Sequence, residues 1–118
     1  MLGPIAKASQ LDRVLGYIDI GRKEGARLVC GGEPRTRRAA ASTSQPTVFD
    51  GVRNDMRIAQ EEIFGPVLST ITFADAEEAI QLANASTYGL SGAIWTQNLG
   101  RAHTARALRC GSVDGQLL

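Results

Sequence analysis

The stretch VLSTITFADAEEAIQLANASTYGLSGAIWT, residues 67–96, decides the fold. Val67 to Phe73 is an apolar, extended run, and Asp75 and Glu78 then stand three apart as a capping box that opens a helix. Ala76, Ala79, Ile80 and Ala83 follow at i, i+3, i+4 and i+7, a stripe of small residues suited to burial and close packing. Leu90 to Thr96 is again mostly apolar and extended. Beyond it, Asn98 can cap a helix running through Leu108, and Gly111 to Val113 begins a further short strand. Strand, helix, strand, helix, strand is the order that builds a parallel sheet with right-handed crossovers. The expected class is α/β, a parallel sheet with crossover helices.

Upstream, Ser9 can cap a helix with Asp12 as its capping-box partner, and Leu11, Val14, Leu15 and Ile18 fall on one face. Arg22 and Lys23 complement the C-terminal end of the helix dipole, and Gly25 can supply the left-handed residue that stops it. Ala26 to Cys30 reads as a strand entering a Gly31-Gly32 turn. Residues 33–45 combine Pro34, Arg35, Arg37, Arg38, three alanines and Ser42-Thr43-Ser44 without strand or helix periodicity, and read as an exposed loop. Pro46 to Val52 looks extended, and Met56 to Ile63 reads as a short helix stopped by Gly65-Pro66.

The 118 residues are enough for one domain, and 43% hydrophobic with 21% charged residues excludes a disordered acidic chain and a disulfide scaffold. With 13 Lys and Arg against 12 Asp and Glu, no global field draws the chain to nucleic acid or anionic lipid. Arg35, Arg37 and Arg38 lack interleaved aromatics and read as a solvated loop, so no nucleic-acid partner is expected. No apolar run approaches the roughly 20 residues that span a bilayer, and Met1 to Lys7 carries no secretory pattern, so no membrane partner is expected. Cys30 and Cys110 match neither a CxxC redox pair nor a zinc spacing, and a reduced, cytoplasmic setting is expected.

Glu61-Glu62-Ile63-Phe64-Gly65-Pro66-Val67 closely resembles a signature of the aldehyde dehydrogenase superfamily. The flanks agree in order and spacing: Gly3-Pro4, Glu24-Gly25-Ala26 into Gly31-Gly32, Pro46-Thr47-Val48-Phe49, Glu77-Glu78-Ala79-Ile80, Ala83-Asn84, Tyr88-Gly89-Leu90 and Trp95-Thr96. The ordered set covers roughly residues 3 to 113 and makes residues 1–118 resemble a single partial domain, the C-terminal region of the family's catalytic domain. In that family a cysteine thiolate attacks an aldehyde, the thiohemiacetal passes hydride to a nicotinamide cofactor, and water releases the acid. The resemblance therefore implies a small-molecule aldehyde as substrate and NAD or NADP as cofactor.

By resemblance Glu62 accepts hydrogen bonds from the nicotinamide ribose, and Phe64 packs near the nicotinamide ring. A carboxylate can serve two hydroxyls, and an aromatic surface suits a flat ring. The plainer reading makes Glu61 and Glu62 solvated charges, Phe64 a core residue and Gly65-Pro66 a turn. Glu61 is read as structural or solvated in either case.

The family's nucleophile sits in a Gly-Gln-x-Cys-like context, and no such string occurs here. Cys30, at a strand end before two glycines, is expected to be a buried structural thiol. Cys110 follows a helix, and His103 on that helix is read as a surface residue. No catalytic or metal-binding residue is assigned. The general-base glutamate and the glycine-rich dinucleotide fold of the family are likewise not encoded in this stretch. The chain departs from the family pattern at Arg35 to Ser44 and again at Asp114 to Leu118. Arg101 to Gly111 is one residue shorter than that pattern, a rotation of about 100°. Either the buried face turns or a local distortion absorbs it. The expected function is a fragment of a NAD(P)-dependent aldehyde dehydrogenase, inactive as an isolated chain. The alternative is a non-catalytic binding or assembly module that pairs an exposed sheet edge with another chain.

Overall fold

A computed structural model describes residues 8–36 and 42–117. The Gly3-Pro4 match, the reading of Met1 to Lys7, and Arg37 and Arg38 lie outside the described residues. The chain divides into two compact units, residues 1–72 and 73–118.

In the first unit, α1 (Ala8–Lys23) already runs at Ala8, so Ser9 is a helical residue and not the cap expected of it. Its buried face is Val14, Tyr17, Ile18 and Gly21, while Leu11 and Leu15 are half-buried. That stripe has the expected spacing but is rotated towards the C-terminal end of the helix. The helix ends as the sequence reads: Gly25 sits at φ 91°, the Gly25 amide donates to the Arg22 carbonyl at 3.2 Å, and the Ala26 amide donates to Gly21 at 3.0 Å. These two bonds form a Schellman cap.

β1 (Arg27–Cys30) pairs antiparallel with β4 (Thr47–Asp50), and β4 pairs parallel with β5 (Val67–Ser69), giving a sheet of order β1-β4-β5. The α/β class holds, with β1 as an antiparallel edge because no crossover helix lies between it and β4. Leu28 faces Phe49 and Cys30 faces Val48, so β1 carries one extra residue across that step. The bulge reverses the alternation after Leu28 and leaves Cys30 exposed, where a buried thiol was expected. Gly31 follows at φ 78°, and a Cβ there would stand 2.2 Å from the Pro46 carbonyl oxygen.

Residues 33–45, expected as a loop, contain β2 (Pro34–Thr36) and β3 (Ser42–Ser44) in antiparallel register. The ladder is made by backbone groups and so needs no apolar alternation in its Pro, Ser and Thr residues. On β4, Thr47 and Phe49 turn inward, and Phe49 meets Val14, Ile18, Met56 and Ile58 in one core. α2 is a single turn (Arg57–Gln60), shorter than the expected Met56 to Ile63, and its first amide, Arg57, donates to Glu24 at 3.0 Å.

In the second unit, α3 (Ala76–Asn84) opens at the expected cap, where Asp75 accepts from the Glu78 amide at 2.9 Å, while Glu78 reaches one residue beyond the expected box and accepts from the Ala74 amide at 2.6 Å. β6 (Ser91–Thr96) runs parallel to β7 (Ser112–Leu117), and α4 (Leu99–Thr104) between them packs on both. Asn98 caps α4 by accepting from Arg101 at 3.0 Å. The helix does not run on to Leu108; it tightens into a 3₁₀ turn over Ala105–Ala107, a local distortion of the kind anticipated. β7 then pairs along all six residues, longer than the strand expected at Gly111 to Val113, because the ladder uses backbone groups whatever the side chains are. The expected buried stripe of α3 is only half-buried at Ala76, Ala79 and Ile80, and exposed at Ala83.

Candidate functional site

The Glu61 to Pro66 strap joins α2 to β5. Its backbone becomes extended at Glu61 (φ −117°, ψ 144°), which stops the one-turn helix. Extended backbone turns successive side chains to opposite sides. Glu61 and Ile63 are accordingly half-buried, while Glu62 and Phe64 are exposed, Phe64 by 64%.

The inward side is tied to α1 and α2. Arg57 grips Glu61 with two guanidinium nitrogens, Nε to Oε1 at 2.7 Å and an Nη to Oε2 at 2.9 Å. Tyr17, 8% exposed, donates its hydroxyl to Glu61 Oε2 at 2.7 Å. The Arg57 fork foremost, then the Tyr17 hydroxyl, holds the Glu61 carboxyl down to about 2, and Glu61 in turn raises the Arg57 pKa. The guanidinium carbons of Arg13 and Arg57 lie 5.7 and 5.8 Å from the Tyr17 ring centre, within cation–π range. Gln10 on α1 donates to the Phe64 carbonyl at 2.6 Å. Gly65 lies so close to α1 that a Cβ would meet Val14 Cγ2 at 2.5 Å. At the far end the Thr47 amide donates to the Pro66 carbonyl at 2.8 Å.

The structure thus brings Glu62 and Phe64 together on the outer side of a strap pinned from its inner side. Phe64 is no core residue, and among the described residues no side chain pairs with the Glu62 carboxylate. Glu61 is structural. Sequence reading passed over Tyr17 and Arg57. The i, i+4 spacing of Arg57 and Glu61 was a usable signal for an ion pair, whereas nothing local marks the reach from Tyr17, 44 residues away.

The other resemblance motifs are structural in the second unit. The Asn84 side chain donates to the Ala107 carbonyl at 2.8 Å and accepts from the Arg109 amide at 2.7 Å, clamping the chain after the 3₁₀ turn. Gly89 accepts from the Gly111 amide at 2.8 Å, and a Cβ on Gly89 would stand 2.7 Å from the Arg109 carbonyl oxygen. An open cleft of about 350 Å³ lies here, lined in part by Tyr88, Leu90 and Leu108. Cys110, half-buried beside it, donates its thiol to the Ser112 carbonyl at 3.2 Å. His103 is exposed on α4. Among the described residues no group of three or more His, Cys, Asp or Glu could hold a metal ion, and no helix is long and apolar enough to cross a membrane.

The fold defines the class: a mixed α/β chain whose parallel strand pairs are joined through helices. The family follows from comparison, since the model of the aldehyde dehydrogenase family matches residues 1–115, and the chain belongs to that family. Among solved structures, an indole-3-acetaldehyde dehydrogenase of P. syringae in complex with NAD+ is 55% identical, with a TM-score of 0.93 over 97% of this chain and 23% of its own. The aldehyde dehydrogenase KauB of Pseudomonas aeruginosa is 50% identical over the same shares, with a TM-score of 0.93. A NAD-dependent aldehyde dehydrogenase from Sinorhizobium meliloti is 43% identical, with a TM-score of 0.93 over 99% of this chain and 23% of its own. The chain spans about a quarter of the length of these relatives.

Proposed function

We propose that these residues are the C-terminal part of the catalytic domain of a NAD(P)-dependent aldehyde dehydrogenase, an oxidoreductase that converts an aldehyde to a carboxylic acid. Glu62 and Phe64 form the nicotinamide side of its cofactor site. The observation that supports this reading is the strap itself: a carboxylate without a side-chain partner among the described residues and an exposed aromatic ring project from the same side of a pinned, extended segment. A carboxylate has acceptors for two ribose hydroxyls, and the ring offers a flat apolar surface to a pyridine ring. The bound cofactor would supply a hydride acceptor. The proposal takes residues 1–118 as one partial domain, a reading supported by the family match running across both units. It places the protein in the cytoplasm, with a small-molecule aldehyde as substrate.

The 118-residue chain by itself is expected to turn over no aldehyde, because neither Cys30 nor Cys110 stands in the Gly-Gln-x-Cys-like context of the family's nucleophile. The test is saturation-transfer NMR with nicotinamide mononucleotide. Ring-proton saturation is expected with the unaltered chain and is expected to fall in Phe64→Ala and Glu62→Gln. Equal saturation in all three overturns the assignment, as would steady NADH formation from an aldehyde overturn the expected inactivity.

One observation favours a second reading, an assembly module. Among the described residues no third strand joins the parallel pair β6 and β7, whereas parallel strands ordinarily lie inside larger, doubly covered sheets. Co-purification of the chain with a second polypeptide that protects β6 and β7 amides from exchange supports that reading, and a free monomer with unprotected edges opposes it.

A further inference from the structure

The strap is held by groups on two helices, and their arrangement goes further than a family motif. Tyr17 reaches Glu61 from α1, Arg57 reaches it from α2, and both act on the same carboxylate. Because that carboxylate is fixed on the inner side, the alternation of an extended chain fixes where the next two outward side chains, Glu62 and Phe64, project. We infer that Tyr17 and Arg57 are positioning residues that act through Glu61 to preorganise the outward pair Glu62 and Phe64 for a nicotinamide nucleotide. The inference deepens the cofactor reading and rests on it for the identity of the ligand.

The geometry separates this role from simple support. The Tyr17 ring is core, and among the described residues its hydroxyl bonds to Glu61; removing that oxygen keeps the ring's packing and loosens Glu61. The Arg57 fork is planar and two-pronged, and a lysine ammonium cannot reproduce both bonds at once. The Arg57 side chain is 53% exposed, so Arg57→Lys leaves the core intact even if Tyr17→Phe does not. The Gln10 bond to the Phe64 carbonyl is single and exposed, and is a weaker tether than the paired bonds to Glu61.

The experiment measures backbone order parameters of the 118-residue chain by nitrogen-15 relaxation, together with saturation transfer to nicotinamide mononucleotide. In the unaltered chain Glu62, Ile63 and Phe64 should show the roughly 0.85 of rigid backbone. In Tyr17→Phe and in Arg57→Lys these three should fall towards about 0.6, while Val14 to Ile18 of α1 keep their values, and ring saturation of the nucleotide should drop at least threefold. Glu61→Gln, which keeps one acceptor oxygen but loses the charge and one prong of the Arg57 fork, should also loosen the strap. Unchanged order in the strap of both variants overturns the inference, as does a loss of order spread equally through α1. If the strap loosens as expected but the unaltered chain never receives saturation at the nucleotide, the cofactor reading falls and the positioning of the two side chains stands.

Discussion

Gly16 and Gly21 both lie on α1, and the structure gives them opposite surroundings. A Cβ at Gly16 would have nothing within 4 Å, whereas one at Gly21 would meet Ile58 Cδ1 at 2.9 Å and Phe49 Cζ at 3.2 Å. Alanine at Gly16 therefore contributes only helix propensity, and should stabilise the first unit by about 0.5–1 kcal/mol. Alanine at Gly21 gains at most the same amount, less because it lies in the last turn, and it adds a methyl to a filled interface. Overpacking of that kind costs about 1–3 kcal/mol. Ile58 Cδ1 is a flexible end and can yield. The Phe49 ring, fully buried, has less room to move, so the cost should not vanish.

The propensity term is common to both variants and largely cancels in their difference. Gly21→Ala should thus be less stable than Gly16→Ala by about 1–3 kcal/mol. Urea unfolding followed by ellipticity at 222 nm suits the comparison, since α1, at 16 residues, is the longest helix described. The midpoints should separate with parallel slopes. Equal stability, or a more stable Gly21→Ala, would show that α1 does not press on β4 and α2 through Gly21, and the placement of the core face would be wrong.

Two other predictions concern polar groups. Thr47, 1% exposed, accepts from the buried Gly32 amide at 2.9 Å, so Thr47→Val should strand that amide and cost about 1–3 kcal/mol, read as a lower urea midpoint. Glu61 titrates near 2 instead of 4.5, held down first by Arg57 and then by Tyr17. A carboxyl with a depressed folded pKa stabilises the fold above its unfolded pKa and loses that contribution as pH falls through the folded one. The strap's share of stability should therefore decline from about pH 4.5 to about pH 2. Carbon-13 titration of the Glu61 carboxyl should give a midpoint near 2 that rises in Arg57→Lys, and an unmoved midpoint would contradict the assigned cause.

Features set by neighbours in sequence were legible. Gly25 closes α1, Asp75 with Glu78 opens α3, and Asn98 opens α4, because a cap is a bond between residues two to five apart. Features that depend on distant partners were not. The apolar count on α1 favoured Leu11 and Leu15 and passed over Gly21 and Tyr17. Glycine is buried there because Phe49 and Ile58 arrive from elsewhere, and the buried Tyr17 finds a partner for its hydroxyl only in the distant Glu61 among the described residues. Cys30 was misplaced by one bulge, a defect of pairing that leaves no mark in β1 itself. Of the candidate site, the pair Glu62 and Phe64 is proposed through resemblance, while the bonds that hold the neighbouring Glu61 were hidden in tertiary contacts.

The two adjacent glutamates show how far such contacts can divide like residues. Glu61 and Glu62 are chemically the same and neighbours on one segment, so composition treats them alike. The extended backbone sends them to opposite sides, and only the inner side meets an arginine fork and a phenol. Once Glu61 is held there, the outward course of Glu62 and Phe64 depends on a count of residues rather than on a pocket of their own. A residue added directly after Glu61 would swap inner and outer side chains beyond it, placing Ile63 in solvent and the Glu62 carboxylate against α1. Both changes are unfavourable, so the strap's length, as much as its composition, specifies which carboxylate is offered outward.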